Sequence, residues 1–375
     1  MRARRGRLAS ASRFGAALAI FGCIGCISAA LLAGCGVLGQ ARGRGAATPS
    51  ATQPAEGSPS QRGDRSLVRA AVPHDGRPAA PASTWVQREN ERPGSSDWRI
   101  LTSEVASDEE LSAYADEVSV TPGDGFRLFI SSSARDVTVR AYRLGWYAGD
   151  GARLVWSSGS VPARVQAAPR LEDGNMVVAR WLPSLTVPTD GWPEGTYLLQ
   201  LEGRGGAADG KRKYVPVTLR SPSTEGKLVL LNAVATYQAY NSWGGYSLYE
   251  GPPGAPGDRA VRVSFDRPYD DNGALKLFSY ELGVIQLAER LGLPLAYVTS
   301  IDIDRSPHLL DGATGLVSMG HDEYWSREMR DAVEKARDSG TNLAFLGANA
   351  VYWRVRFEPA PSGEERVMVG YRSSA

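Results

Sequence analysis

Four apolar runs limit what the second half of this chain can become: "KLVLLNA" (227–233), "LAYVTS" (295–300), "TGLVSM" (314–319) and "NLAFLG" (342–347). None alternates polar with apolar residues, so each predicts a strand covered on both faces, as in a parallel sheet flanked by helices. The connecting segments agree. Leu275, Phe278, Leu282, Ile285 and Ala288 recur at helical spacing over 274–291, ahead of Gly292 and Pro294. "SREMRDAVEKARDSG" (326–340) reads as a helix with Ser326 as its N-cap and Gly340 just past its end. Strands alternating with helices predict an α/β domain with a mainly parallel sheet over 226–375. Such sheets bind ligands beyond the carboxyl ends of their strands. Three polar, aromatic-rich stretches lie there: "ATYQAYNSWGGYSLY" (235–249), "GHDEYW" (320–325) and "GANAVYW" (347–353).

Residues 85–222 have a different texture. "FRLFIS", "VTVRAYRLG", "ARLVWSSG", "MVVARWL", "TYLLQLEG" and "KYVPVTLR" are short alternating runs divided by turn clusters such as "TPGDG" and "PTDGWPEG". Six strands without intervening helices predict a β-sandwich of immunoglobulin-like type. Trp146, Tyr147 and Arg153 read as packing residues within it. Ahead of it, 36–84 lacks Phe, Trp, Tyr and Ile and predicts a disordered linker, with His74 a solvated residue in it.

The first 35 residues have the pattern of a signal peptide: a basic start, an apolar run and a small-residue exit at "LLAGC". Leu32–Cys35 resembles a bacterial lipobox, which predicts lipidation of Cys35 and an extracytoplasmic protein anchored to the cell membrane. The alternative is an uncleaved membrane anchor. Cleavage before Cys35 removes five arginines and no acid, taking the formal net charge from +1 to −4. A nucleic-acid footprint is thereby excluded. Cys23 and Cys26 leave too, so Cys35 would be the one remaining cysteine, excluding an internal disulfide and a cysteine nucleophile.

The chemistry at the strand ends is reached partly by elimination. Ser318 in "GLVSMG" lacks nucleophile-elbow spacing, and neither H-E-x-x-H nor a cysteine pair occurs. His308 reads as a loop residue. What remains is rich in oxygen donors: Tyr237, Tyr240, Tyr246, Tyr249, Asp322, Glu323 and Tyr324, with His321 the one imidazole among them. Phenolate and carboxylate suit a hard cation such as ferric iron, whereas the plain alternative is core aromatics with wet hydroxyls.

These motifs carry a resemblance. "RLGWYAGDGARLV" (143–155), "TYQAYNSWGGYSLY" (236–249), "VSFDRPY" (263–269), "GHDEYWS" (320–326) and "NLAFLGANAVYWRVR" (342–356) resemble the N,N-dimethylformamidase large-subunit family. The resemblance implies a β-sandwich module followed by a class I glutamine amidotransferase-like domain without its cysteine. It also implies a mononuclear iron (Fe3+) held by two tyrosines and a glutamate. The glutamate falls on Glu323. The tyrosines fall on Tyr240, with Tyr237 as fallback, and on Tyr249, with Tyr269 as rival. His321 and Asn349 become pocket residues. A small partner subunit or homo-oligomer is implied, and relatives continue beyond the position of Ala375.

On this reading the chain is an N,N-dimethylformamidase-like hydrolase of amide C–N bonds at the cell surface, acting on a small amide substrate. Iron polarises the carbonyl, His321 or Asp322 relays a proton, and Asn349 hydrogen-bonds the oxyanion. The alternative is a non-catalytic surface lipoprotein that binds a glycan or peptide by stacking on Trp243, Tyr246 and Trp325. Asp266 and Arg267 are expected to pair with each other or with a loop carbonyl, while Trp353, Arg354 and Arg356 brace the "GANA" loop.

Overall fold

The computed structural model describes residues 84–253 and 257–372. The signal-type segment, Cys35, His74 and all but the last residue of the 36–84 stretch lie outside them. Among the described residues no helix is long and apolar enough to cross a membrane.

The four apolar runs fold into one parallel sheet. Leu228–Asn232 lies between Leu295–Thr299 and Gly315–Ser318, and Asn342–Phe345 forms an outer edge. Successive side chains leave opposite faces, so each run supplies two cores. Leu230, Leu295, Tyr297 and Val317 pack with Ile285 and Ala288. On the other face Val229, Leu231, Ala296, Val298 and Leu316 pack with Ile303, Met329, Ala332 and Val333. Ser326 caps the helix Arg327–Asp338 by accepting from Met329 N at 3.0 Å. The periodic stretch 274–291 differs from one continuous helix. It forms Leu275–Tyr280 and Leu282–Arg290, broken at Glu281, whose carboxylate takes hydrogen bonds from Ala233 N and Asn232 Nδ2.

Upstream, two sheets enclose a second core. Leu111–Ala115, Phe126–Ser132 and Leu185–Val187 form one antiparallel sheet. The other runs in the order Ser119–Val120, Arg212–Leu219, Gly195–Gly206, Ala134–Leu144, Ala152–Ser157. Leu128 and Ile130 of the first meet Val137, Val139, Leu199, Leu201 and Val217 of the second. "MVVARWL" departs from its expected place: only Met176–Val178 is strand, and it pairs with Arg170–Glu172 in a hairpin outside both sheets. The antiparallel set Arg262–Ser264, Gly363–Val369 and Arg356–Ala360 closes the fold.

The central strands of the larger upstream sheet are buried on both faces for most of their length. Tyr142, Leu144, Leu198 and Tyr214 point away from that second core and join the core beneath the parallel sheet. At that seam lies Arg143, fully buried and paired with the equally buried Glu289 at 2.7 Å. Its guanidinium also donates to Glu194 O and to Tyr147 Oη, while Tyr297 Oη and Asn90 Nδ2 donate to Glu289. Tyr147 and Arg153 in turn bind Glu89. Tyr147 thus belongs to a buried polar network that joins four segments.

Removing one partner of a buried pair strands the other charge. Arg143→Met should lower the unfolding free energy by about 3–5 kcal/mol, and the Arg143→Met/Glu289→Met double variant should recover part of that loss. Urea denaturation reads both; equal losses in the single and double variants would contradict the pairing.

Candidate functional site

The carboxyl ends of the central strands deliver three segments to one point. After Asn232 the chain turns directly into the helix Val234–Tyr240, which puts Tyr240 at its last position. The loop then doubles back, with Leu248 N donating to Ala239 O at 3.0 Å. Ser247 Oγ fixes the next turn by accepting from the amides of Tyr249 and Glu250. As a result the Tyr240 and Tyr249 rings stack with centroids 4.2 Å apart.

Arg267 imposes this loop shape. It is 1% exposed and makes five hydrogen bonds, to the Gln238 side chain and to the carbonyls of Gln238, Asn241, Trp243 and Tyr246. The expected Asp266–Arg267 pair does not form. Asp266 binds Arg366 at 2.8 Å instead, and the loop-carbonyl alternative describes Arg267.

Glu323 comes from the loop after Gly315–Ser318. Its amide donates to Thr236 Oγ1, and its carbonyl accepts from Trp353 N. The next residues, Tyr324–Trp325, pair in parallel with Trp353–Arg354. The loops 319–323 and 346–350 touch where only glycine fits: a Cβ on Gly347 would sit 1.9 Å from Gly320 O. That approach brings Ala348 O within 3.2 Å of His321 Nδ1. A carbonyl only accepts, so Nδ1 carries a hydrogen and Nε2 faces the site.

One carboxylate oxygen gathers the rest. Glu323 Oε2 lies 2.8 Å from Tyr240 Oη, 2.6 Å from Tyr249 Oη and 3.1 Å from His321 Nε2. Tyr240 Oη is also 2.8 Å from His321 Nε2, so its single proton faces two acceptors. Burial, reinforced by the adjacent carboxylate, pushes the Tyr240 phenol up to about 12 and raises that of Tyr249 further still. Among the described residues no group of three or more His, Cys, Asp or Glu is placed to hold a metal, so a cation here would depend on the phenol oxygens.

Tyr237 and Tyr269 stand apart. They pack edge-on against each other, ring centroids 6.3 Å apart, with Tyr237 in the core. Asp322 is fully buried, its Oδ2 accepting from Ser318 at 3.0 Å, and burial pushes its carboxyl up to about 6. Asn349 is exposed and left-handed in backbone, and the group that reaches His321 from this loop is the carbonyl of Ala348. Trp243 and Trp325 are 5% and 3% exposed, which removes two of the three rings assigned to ligand stacking. His308 lies on the surface beside Asp311 and Lys335.

Two cations missed in the sequence flank the tyrosine stack. Lys276 Nζ lies 4.5 Å from the Tyr240 ring centre, and the Arg372 guanidinium 3.7 Å from that of Tyr249. Each tyrosine has its other face occupied by its neighbour, so the cations cover the two outer faces. No spacing pattern signals such contacts.

The N,N-dimethylformamidase beta subunit-like C-terminal family matches residues 138–375, a stretch that contains every residue of the cluster. The chain belongs to this family. No curated protein matches it. Among solved structures, an uncharacterized protein from Bacillus anthracis aligns at 15% identity over 32% of this chain and 93% of its own, with a TM-score of 0.19. A Paenibacillus cycloisomaltooligosaccharide glucanotransferase aligns at 9% identity over 64% of this chain and 28% of its own, with a TM-score of 0.20. Neither score implies a shared fold. Family membership rests on the matched residues.

Beneath the site lies Glu281, 2% exposed, whose carboxyl burial pushes up to about 7 from an ordinary 4.5. Its folded-state pKa is raised, so its stabilising contribution is complete below the ordinary value and is lost as pH climbs through 7. Glu281→Gln should therefore gain stability on the wild type as pH rises, by up to about 3 kcal/mol above neutrality. Parallel denaturation curves of the two proteins across that range check it, and an unchanging difference would refute the assignment.

Proposed function

We propose that the chain is a metal-dependent hydrolase of amide C–N bonds, of the N,N-dimethylformamidase kind, with a single ferric ion held by Tyr240, Tyr249 and Glu323. The observation that carries the reading is the convergence of two phenol oxygens on one buried glutamate oxygen, with an imidazole nitrogen beside them. The donor set fits: three hard oxygen ligands from three separate turns, rigidly backed. Bound there, the ion would supply Lewis acidity toward a carbonyl and acidify a water.

The protein's own groups have the remaining tasks. Both phenols must give up their protons to act as ligands. In this reading His321 Nε2, oriented by Ala348 O, takes a proton and returns it to the departing nitrogen. Asn349, exposed on the same loop, is the donor to a developing oxyanion in this reading. Asp322, sealed under the loop with Ser318, braces the turn in this reading.

The same proposal reads the two upstream sheets as an immunoglobulin-like sandwich and the parallel sheet as an amidotransferase-like domain. It places the protein at the cell surface through a lipid on Cys35.

Protein produced with iron present should carry about one iron per chain and show the visible absorption of an iron–tyrosinate. Tyr240→Phe and Glu323→Gln should each lose the metal and the colour while keeping their melting temperature within a few degrees. Colourless wild type without iron would end the hydrolase reading.

Because both phenols hold their protons more tightly than free tyrosine, iron loading should release protons and strengthen as pH is raised through neutrality. Titration calorimetry in buffers of different ionisation enthalpy measures the release. Loading without proton release would exclude phenolate ligation.

A further inference from the structure

Beside the tyrosine–glutamate cluster, and separated from it by Trp353, is a cavity of about 340 Å³ with an unusual lining. Arg327, Arg330 and Arg354 line it together with Tyr352 and Trp353, and no carboxylate is among its lining residues. Trp353 serves both spaces. Its amide holds Glu323 O, its ring lies 5.1 Å from the Arg372 guanidinium that covers Tyr249, and its indole meets Tyr352 edge-on at 5.0 Å.

We propose that this cavity receives an anionic group carried by the substrate, so that the favoured substrates are amides bearing a carboxylate near the scissile bond. The inference rests on the hydrolase reading for the word substrate; the anion pocket itself stands on the lining.

Three features support it. Among the described residues the ion pairs of Arg327 and Arg330 are exposed ones with Asp331 and Glu334 one helical turn away, contacts that contribute little. Arg354 is exposed and forms no ion pair among the described residues. Ser326 Oγ caps Met329 N, and the three arginines are the charged groups of the lining.

Charge on the cluster side points the same way. Lys276 and Arg372 flank the phenols, and neither forms an ion pair among the described residues. A carboxylate reaching across Trp353 would meet guanidinium edges suited to paired N–H···O contacts. A neutral amide of the same size would leave those donors unanswered.

The test uses a matched pair of ligands, N-benzoylglycine and its neutral methyl amide, with the full chain. By titration calorimetry the acid should bind about tenfold more tightly than the neutral amide, a preference that shrinks with added salt. Arg330→Gln/Arg354→Gln, both exposed positions, should reduce the preference to less than about twofold while melting unchanged. Equal binding of the two ligands, binding of neither, or a preference that survives the double variant overturns the pocket. Release of glycine is measured in parallel. Charge preference without hydrolysis upholds the anion pocket and counts against the hydrolase reading, whereas hydrolysis without charge preference does the reverse.

Discussion

A single buried guanidinium shapes the site. Among the described residues no carboxylate is bonded to Arg267; its partners are loop carbonyls, which surround it much as water would. Burial lowers its pKa to about 10, so it stays charged at neutral pH. A charge sealed in this way is tolerable only while every carbonyl stays in place, since any that turns away leaves a donor unanswered in a low-dielectric interior. The loop 238–246 is therefore held to one course. That course sets Tyr240 against Tyr249 and aims both hydroxyls at one oxygen.

The support continues outward through polar bonds as well as apolar packing. Thr236 holds the Glu323 amide, and Glu281 ties the end of the central strand to the break between two helices. Farther off, Arg143 and Glu289 fix the upstream sheet against the helix that covers the parallel one. Each is a buried polar contact between segments distant in sequence. Such contacts add little net stability but reject alternative arrangements, because a shifted partner leaves a buried group unpaired. The seam between the two halves is correspondingly continuous, and the long strand Gly195–Gly206 is buried on both faces for most of its length.

The consequence is an oxygen cluster held together by the protein's own contacts. Its two phenols and its carboxylate are positioned by main-chain geometry at strand ends, while His321 is oriented by a carbonyl across a glycine-lined contact. Cations sit on the outer ring faces, where they bias the region toward negative partners without occupying the oxygen cluster.

Much of the fold was legible because it is written in local periodicity. Four unbroken apolar runs became four parallel strands, and the Ser326-capped helix lies where its cap and stop residues mark it. The strands missed upstream, Leu111–Ala115 and Leu185–Val187, are short and gain their strand character from pairing with Phe126–Ser132. The helix break at Glu281 escaped notice because its cause is an amide 48 residues away in sequence. The family motifs singled out Tyr240, Tyr249 and Glu323 but kept Tyr237 as fallback to the first and Tyr269 as rival to the second. Only the folded loop separated them: a helix ending at Tyr240 turns its hydroxyl to Glu323 and leaves Tyr237, three residues earlier, facing the core. The sequence by itself determined the four parallel strands and which of their ends carry the polar aromatic stretches, since hydrophobic period acts over a few neighbouring residues. Tertiary structure decided which oxygens meet and which cations flank them, since those contacts depend on distances between segments that no local pattern encodes.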